Sequence, residues 1–158
     1  MILSRKNPLC ISWVYQYLIR GSSFLDISPT TTCGSWMWKK LLNLKDVAAT
    51  FFKIDLKDGA STYFWTDIWC DFQPLIHVSG EVGTQMLGIV RTAKVADATD
   101  AQGWQLRRCR GRVMQEIIEK IKCVPPPRPE AGRDRPLWKQ SQGQYEEKFA
   151  SKATWEQL

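Results

Sequence analysis

Phe52-Lys53-Ile54-Asp55-Leu56-Lys57-Asp58-Gly59-Ala60-Ser61-Thr62-Tyr63-Phe64-Trp65 is the stretch whose period decides the fold. Before it, apolar residues recur at helical spacing; within it, the period drops to two. Phe52, Ile54 and Leu56 alternate with Lys53 and Asp55, Asp58-Gly59 is a turn dipeptide, and Ser61 to Trp65 alternates again. Gly59 can take the positive φ that a tight reverse turn needs, so the stretch predicts a β-hairpin. Its aromatic face would hold Tyr63 with Trp65 or Phe64 with Trp69, and the register stays open. A helix that runs into a hairpin makes the chain α+β.

Toward the N-terminus, Ser35 is placed to cap a helix reaching about Thr50. Trp38, Leu41, Leu42, Ala48, Ala49 and Phe52 would share its apolar face, with Lys39, Lys40, Asn43 and Asp46 pointing away. Residues 21–34 are rich in Ser, Thr, Gly and Pro and read as a loop. Asn7 suits an N-cap, Pro8 a first helical position and Gly21 a stop, which predicts an amphipathic helix from Pro8 to Arg20. A secretory signal is the alternative there, but Asn7 and Gln16 interrupt the apolar run and no small-residue cleavage site follows.

Toward the C-terminus, Pro74, Gly80, Gly83 and Gly88 break residues 70–103 into pieces without a clear period, and Val90 to Ala98 reads as strand or helix. From Trp104 to Cys123 the spacing of Leu106, Cys109, Val113, Ile117 and Ile121 predicts a helix, with Arg108, Arg112, Glu116 and Lys120 on the opposite side. Gly111 inside that helix would cost about 1 kcal/mol relative to Ala. Pro125-Pro126-Pro127 ends it and begins an extended linker to about Pro136. Leu137-Trp138-Lys139, a turn at Gly143 and Tyr145 to Phe149 predict a second hairpin, and Ser151 or Thr154 starts a further helix. The expectation is a small, loosely packed and incomplete α+β domain of about three helices and two hairpins. It divides into residues 1–103 (Trp-rich), 104–123 (a basic helix), 124–136 (a Pro-rich linker) and 137–158.

The charge is localised. Residues 104–139 hold ten Lys/Arg and four Asp/Glu, whereas the rest of the chain holds twelve of each. A local positive field favours polyanions such as RNA or DNA; the plain alternative is a solvated surface. The strongest candidate is Arg107-Arg108-Cys109-Arg110-Gly111-Arg112 beside Trp104. Arg makes bidentate contacts to phosphate, and Trp offers a plane for base stacking. On the competing reading the arginines pair with Glu116 and Glu119 while Trp104 anchors the core. Lys39 and Lys40 form a second, weaker candidate.

Reactive patterns are sparse. Cys10, Cys33, Cys70, Cys109 and Cys123 are scattered and odd in number, against both a disulfide framework and a zinc site. His77 has no Gly-x-Ser-x-Gly frame, and Gly80-x-x-Gly83 lacks the Gly-Lys-Ser/Thr ending of a phosphate loop. Asp55, Asp58, Asp67 and Asp71 fall in or near the first hairpin, where turn and edge roles account for them better than a shared Mg²⁺. No catalytic site, cofactor or small-molecule site is therefore expected. No apolar run is long enough to span a bilayer, and no membrane partner is expected; the scattered cysteines, read as reduced, give the expectation of an intracellular compartment.

Several phrases in order carry a family resemblance. They are G-S-W-M-W-K-K-L-L (34–42), S-T-Y-F-W-T-D-I-W (61–69), P-L-I (74–76), G-W-Q-L-R-R-C-R (103–110), P-P-P (125–127), D-R-P-L-W-K-Q-S-Q-G-Q-Y (134–145) and F-A-S-K-A-T-W-E-Q-L (149–158). From about Trp13 onward the chain resembles the polyprotein of plant LINE-type (non-LTR) retrotransposons, between the reverse transcriptase core and the zinc-binding domain. It departs from that pattern at Lys57-Asp58-Gly59, where Gly-Asn-Gly is usual, at Leu25 for a Trp and at Ile68 for an Asn. The resemblance places the polymerase residues upstream of Met1 and the zinc ligands beyond Leu158, so neither activity transfers to residues present here. It implies a non-catalytic fragment, in nucleus or cytoplasm, that touches neighbouring polyprotein domains and helps hold RNA or DNA, a role that the local charge would give to Trp104, Arg107, Arg108, Arg110 and Arg112. Residues 137–158 would be a hairpin and the truncated start of the zinc-binding-type domain. The alternatives are a structural spacer or degenerate copy without activity of its own, and an enzyme with Asp55, Asp67 and Asp71 as metal ligands.

Overall fold

The computed structural model describes residues 9–30, 34–140, 143–149, 151 and 154. The chain is α+β. Its helices are α1 (Leu9–Val14), α2 (Trp36–Asn43), α3 (Lys45–Phe51), α4 (Leu75–Ser79), α5 (Val82–Leu87) and α6 (Arg112–Cys123). Its strands are β1 (Phe52–Asp55), β2 (Thr99–Asp100), β3 (Gly103–Trp104), β4 (Arg135–Lys139) and β5 (Tyr145–Glu146). They form two compact units, one of Met1–Lys53 with Pro136–Leu158, the other of Ile54–Arg135. This division differs from the four consecutive blocks read from the sequence. Asn7 and Pro8, the expected start of the first helix, lie outside the described residues, as does most of the helix expected after Ser151.

In the first unit, α1 runs into one π-helical turn, Tyr15–Ile19, which stops at Arg20 in the left-handed region (φ 51°) and Gly21 (φ 77°). Ser35 caps α2 as expected: its Oγ accepts a hydrogen bond from the Trp38 N–H at 3.3 Å. The single helix expected to Thr50 is two, separated at Leu44. Trp38 and Leu42 are buried, and Trp38 meets Phe24 edge-on. Lys45 Nζ donates to the carbonyls of Leu25 and Ile27, at 3.1 and 2.8 Å, tying α3 to the preceding loop. The second hairpin forms as expected. β4 and β5 pair antiparallel with Trp138 opposite Glu146, Gly143 takes a positive φ in the turn, and β1 completes a sheet of order β1-β4-β5. Trp138 packs between Phe52 and Phe149, with ring centroids 5.4 and 5.1 Å away.

In the second unit the hairpin expected over 52–65 does not form. Ile54 N–H donates to Ile68 O, while Phe64 N–H donates to Ala93 O and Thr62 O accepts from Val95 N–H. The second arm is thus paired with residues 93–95. The reason is Asp134, more than seventy residues away in sequence. Its carboxylate takes the N–H groups of Lys57, Gly59 and Ser61 and the hydroxyls of Ser61 and Thr62, at 2.7 to 3.3 Å. Donors bound to a carboxylate are not available to a neighbouring strand. Gly59 does take positive φ (65°), and a Cβ there would press on the Ala96 backbone and Pro127. Residues 124–135 are mostly exposed and are tied to this unit at Asp134 and at Arg128, whose N–H bonds Lys57 O.

The core of this unit unites Phe64, Trp65, Trp69, Leu75, Leu87, Val95, Met114, Ile117 and Ile121, all buried. With no hairpin there is no hairpin face to choose between the two expected registers, and Tyr63, Phe64, Trp65 and Trp69 are all buried. Each buried indole finds an acceptor: Trp65 Nε1 donates to Ile89 O at 3.0 Å and Trp69 Nε1 to Phe64 O at 2.9 Å.

Candidate nucleic-acid interface

The arginine segment is set up by a two-residue turn. Asp100 Oδ1 accepts from the N–H groups of Gln102 and Gly103 at 2.7 and 3.0 Å, and Gly103 takes φ 123°. β2 and β3 therefore pair tightly, with Thr99 opposite Trp104. Trp104 stacks on Trp69 with centroids 5.5 Å apart and planes 26° from parallel, and its Nε1 donates to Val124 O at 2.9 Å. It is half-buried and holds the start of the segment to the core. One face of the indole that the sequence offered to a base is thus occupied by another tryptophan.

The helix expected from Trp104 begins only at Arg112. Gly111 precedes it at φ 117°, a conformation an α-helix interior never contains, so Gly111 is the break and not a passenger. Between β3 and α6 the chain is without regular structure, and its apolar residues face inward. Leu106 and Cys109 are half-buried against the core, and the Cys109 thiol donates to Met86 O at 3.1 Å. Arg107, Arg108 and Arg110 are exposed between these anchors, and Arg112, also exposed, opens α6. The Arg107 guanidinium lies over Gly88, the left-handed C-cap of α5 (φ 71°), where any Cβ would collide with it.

None of the four arginines forms an ion pair with a carboxylate among the described residues, and Glu116 and Glu119 stand exposed on α6. The structure thus brings Arg107, Arg108, Arg110 and Arg112 together with Trp104 at their head. Lys39 and Lys40 are exposed on α2 in the other unit, Lys40 with its ammonium 4.4 Å over the Trp36 ring.

Three of the four carboxylates considered for a metal, Asp55, Asp58 and Asp67, are otherwise engaged. Asp67 is buried and accepts the Tyr63 N–H at 2.8 Å; Asp55 pairs with Lys57 at 3.1 Å; Asp58 accepts the Ala60 N–H. Among the described residues no group of three or more His, Cys, Asp or Glu is arranged to hold a metal ion. The residue that sequence reasoning missed is Asp134. Partial burial alone would raise its pKa. The hydrogen bonds from Lys57, Thr62, Gly59 and Ser61 outweigh this and hold it below the ordinary 3.8. No local pattern marks it, because all its partners are distant in sequence.

Among the described residues no helix is long and apolar enough to cross a membrane. Comparison of the chain with family models, with curated proteins and with solved structures found no match.

Proposed function

We propose that this chain is a non-catalytic segment of a retroelement reverse transcriptase polyprotein that binds RNA or DNA phosphates through residues 107–112. The retroelement origin is supported by the ordered Trp phrases of the sequence. The binding role is supported chiefly by one observation: Arg107, Arg108, Arg110 and Arg112 are all exposed and have no carboxylate partner among the described residues. A surface guanidinium left without a counter-charge keeps its full attraction for phosphate, and its fork suits two phosphate oxygens.

Physical economy favours phosphate contact over base reading. Trp104 has one face on Trp69 and its Nε1 hydrogen on Val124 O, which fixes the indole to the core and leaves the arginines as the groups that project. Binding through arginines alone is sequence-tolerant and steeply salt-dependent. The half-buried Leu106 and Cys109 fix the backbone from which the arginines project, which lowers the ordering cost on binding.

Titration of the full chain with a fluorescent single-stranded RNA at low salt tests this reading. Binding is expected for the wild-type chain. It is expected to fall at least ten-fold when Arg107, Arg108, Arg110 and Arg112 all become Gln, while Lys39→Gln with Lys40→Gln has a smaller effect. Undetectable affinity at low salt, or affinity untouched by the four substitutions, rejects the role.

A further inference from the structure

Helices α2 and α3 bury Trp38, Leu42 and Phe51 yet leave a second apolar stripe outside. Trp36, Met37, Leu41, Leu44 and Val47 retain between 39% and 68% of their surface, far more than an ordinary scatter of single exposed residues. Their spacing is the reason they form a stripe. Met37, Leu41, Leu44 and Val47 follow one another at steps of four, three and three, along one flank of the helical pair. Lys40 lies one turn after Trp36 with its ammonium over the indole, and Lys39 projects beside it. The same unit carries a second such stripe on α1 and its π turn: Leu9, Trp13 and Tyr17 are exposed at steps of four, and the rings of Trp13 and Tyr17 stack at 5.3 Å.

Charge decides what fits. Helices α2 and α3 hold Lys39, Lys40 and Lys45 against Asp46 alone, so the flank is positive and favours an anionic partner. A second copy of the chain would set Lys39 and Lys40 against their own like charges. A nucleic acid would meet the lysines but leave Met37, Leu41, Leu44 and Val47 with nothing to pack on, since aliphatic side chains do not stack on bases as rings do. An anionic bilayer satisfies both demands. Its interface accepts protruding aliphatic side chains without a complementary groove, takes Trp and Tyr at headgroup level and attracts Lys.

We propose that the exposed flank of α2 and α3, with Trp36, Met37, Leu41, Leu44 and Val47 as its apolar contact and Lys39 and Lys40 as its basic rim, adsorbs to anionic lipid surfaces. Adsorption of this kind lies in the interface and needs no spanning helix. It is independent of the arginine segment.

Co-sedimentation of the full chain with vesicles tests it, using phosphatidylcholine alone and phosphatidylcholine with about one third phosphatidylserine. The chain is expected to bind the mixed vesicles and not the zwitterionic ones. Removing Lys39 and Lys40 (each to Gln) should weaken binding about five-fold per lysine, the value of one basic residue near an anionic surface. Leu41→Ser with Leu44→Ser should abolish it while far-ultraviolet circular dichroism stays unchanged, because both side chains are exposed. The chain with Arg107, Arg108, Arg110 and Arg112 all changed to Gln should still bind. Absence of binding to mixed vesicles overturns the proposal. So does binding that survives the α2 variants but is lost in the arginine variant, which would assign the lipid affinity to residues 107–112. Should the Leu41→Ser, Leu44→Ser chain lose its helical signal, Met37→Gln serves in its place, with weakened binding expected and unchanged binding counting against the proposal. Leu41→Ser with Leu44→Ser reads vesicle binding and the four arginine substitutions read RNA binding, so either reading can fail alone.

Discussion

Asp134 shows how one side chain redirects a whole segment. Five hydrogen bonds from residues 57–62 converge on a single half-buried carboxylate, and the turn is held from across the unit. Asp134→Ala would leave three N–H groups and two hydroxyls to weak solvation in a partly buried site. Measured by urea unfolding near neutral pH, it should cost about 2–3 kcal/mol. The carboxylate's folded pKa lies below its unfolded value, so its stabilisation is present above about pH 3.8 and is lost as the pH falls through the lower folded value. The wild-type chain should therefore lose more stability between pH 6 and pH 3 than Asp134→Ala does. Equal acid sensitivity in both would show that the carboxylate does not clasp the turn. Asp134 was not legible in the sequence, because a hydrogen bond acceptor for distant backbone N–H groups leaves no local period or spacing.

At the scale of elements, the sequence was informative wherever partners are local. Ser35 with Trp38 and Leu42 located α2, although Leu41, expected on the same apolar face, is exposed; the Gly143 turn with Trp138 located the β4–β5 hairpin, since cap, turn and neighbour all lie within a few residues. Helix α6 was legible in its buried Ile117 and Ile121 but not in its start. Leu106 and Cys109 fit a helical spacing equally well when they are inward-facing points of an irregular segment, and only the backbone angle at Gly111 separates the two. This gives a prediction of opposite sign for the two readings. In a helix interior Gly111→Ala would gain about 1 kcal/mol. At φ 117° it should instead lose about 1–3 kcal/mol, because L side chains are strained there even though the space around the site is open. Thermal unfolding of the single variant decides between them. Residues 70–103 were illegible for a further reason. Helices α4 and α5 are five and six residues long, too short for a period to show, and they form because Leu75, Ile76 and Leu87 are buried in the common core.

At the scale of the whole chain, stability and charge are unevenly shared. Trp65, Trp69, Phe64, Leu75 and Val95 are nearly inaccessible in the second unit, whereas most of the exposed large apolar side chains belong to the first. Native-state hydrogen exchange should accordingly find its slowest amides at Phe64, Ile76 and Val95, with α1 and α2 exchanging faster. Equal or greater protection in α1 and α2 would contradict that ranking. The second unit holds twelve Lys/Arg and eleven Asp/Glu, so it is almost neutral, and polyanion affinity there depends on where charge is concentrated, as it is at Arg107, Arg108, Arg110 and Arg112. The salt dependence of single-stranded RNA binding counts the phosphates engaged and so tests this most directly. Four arginine–phosphate contacts predict a slope of log K against log salt near about −3 for the wild-type chain, shrinking toward zero when the four become Gln. A slope that is the same in both chains would contradict the assignment of the interface to residues 107–112.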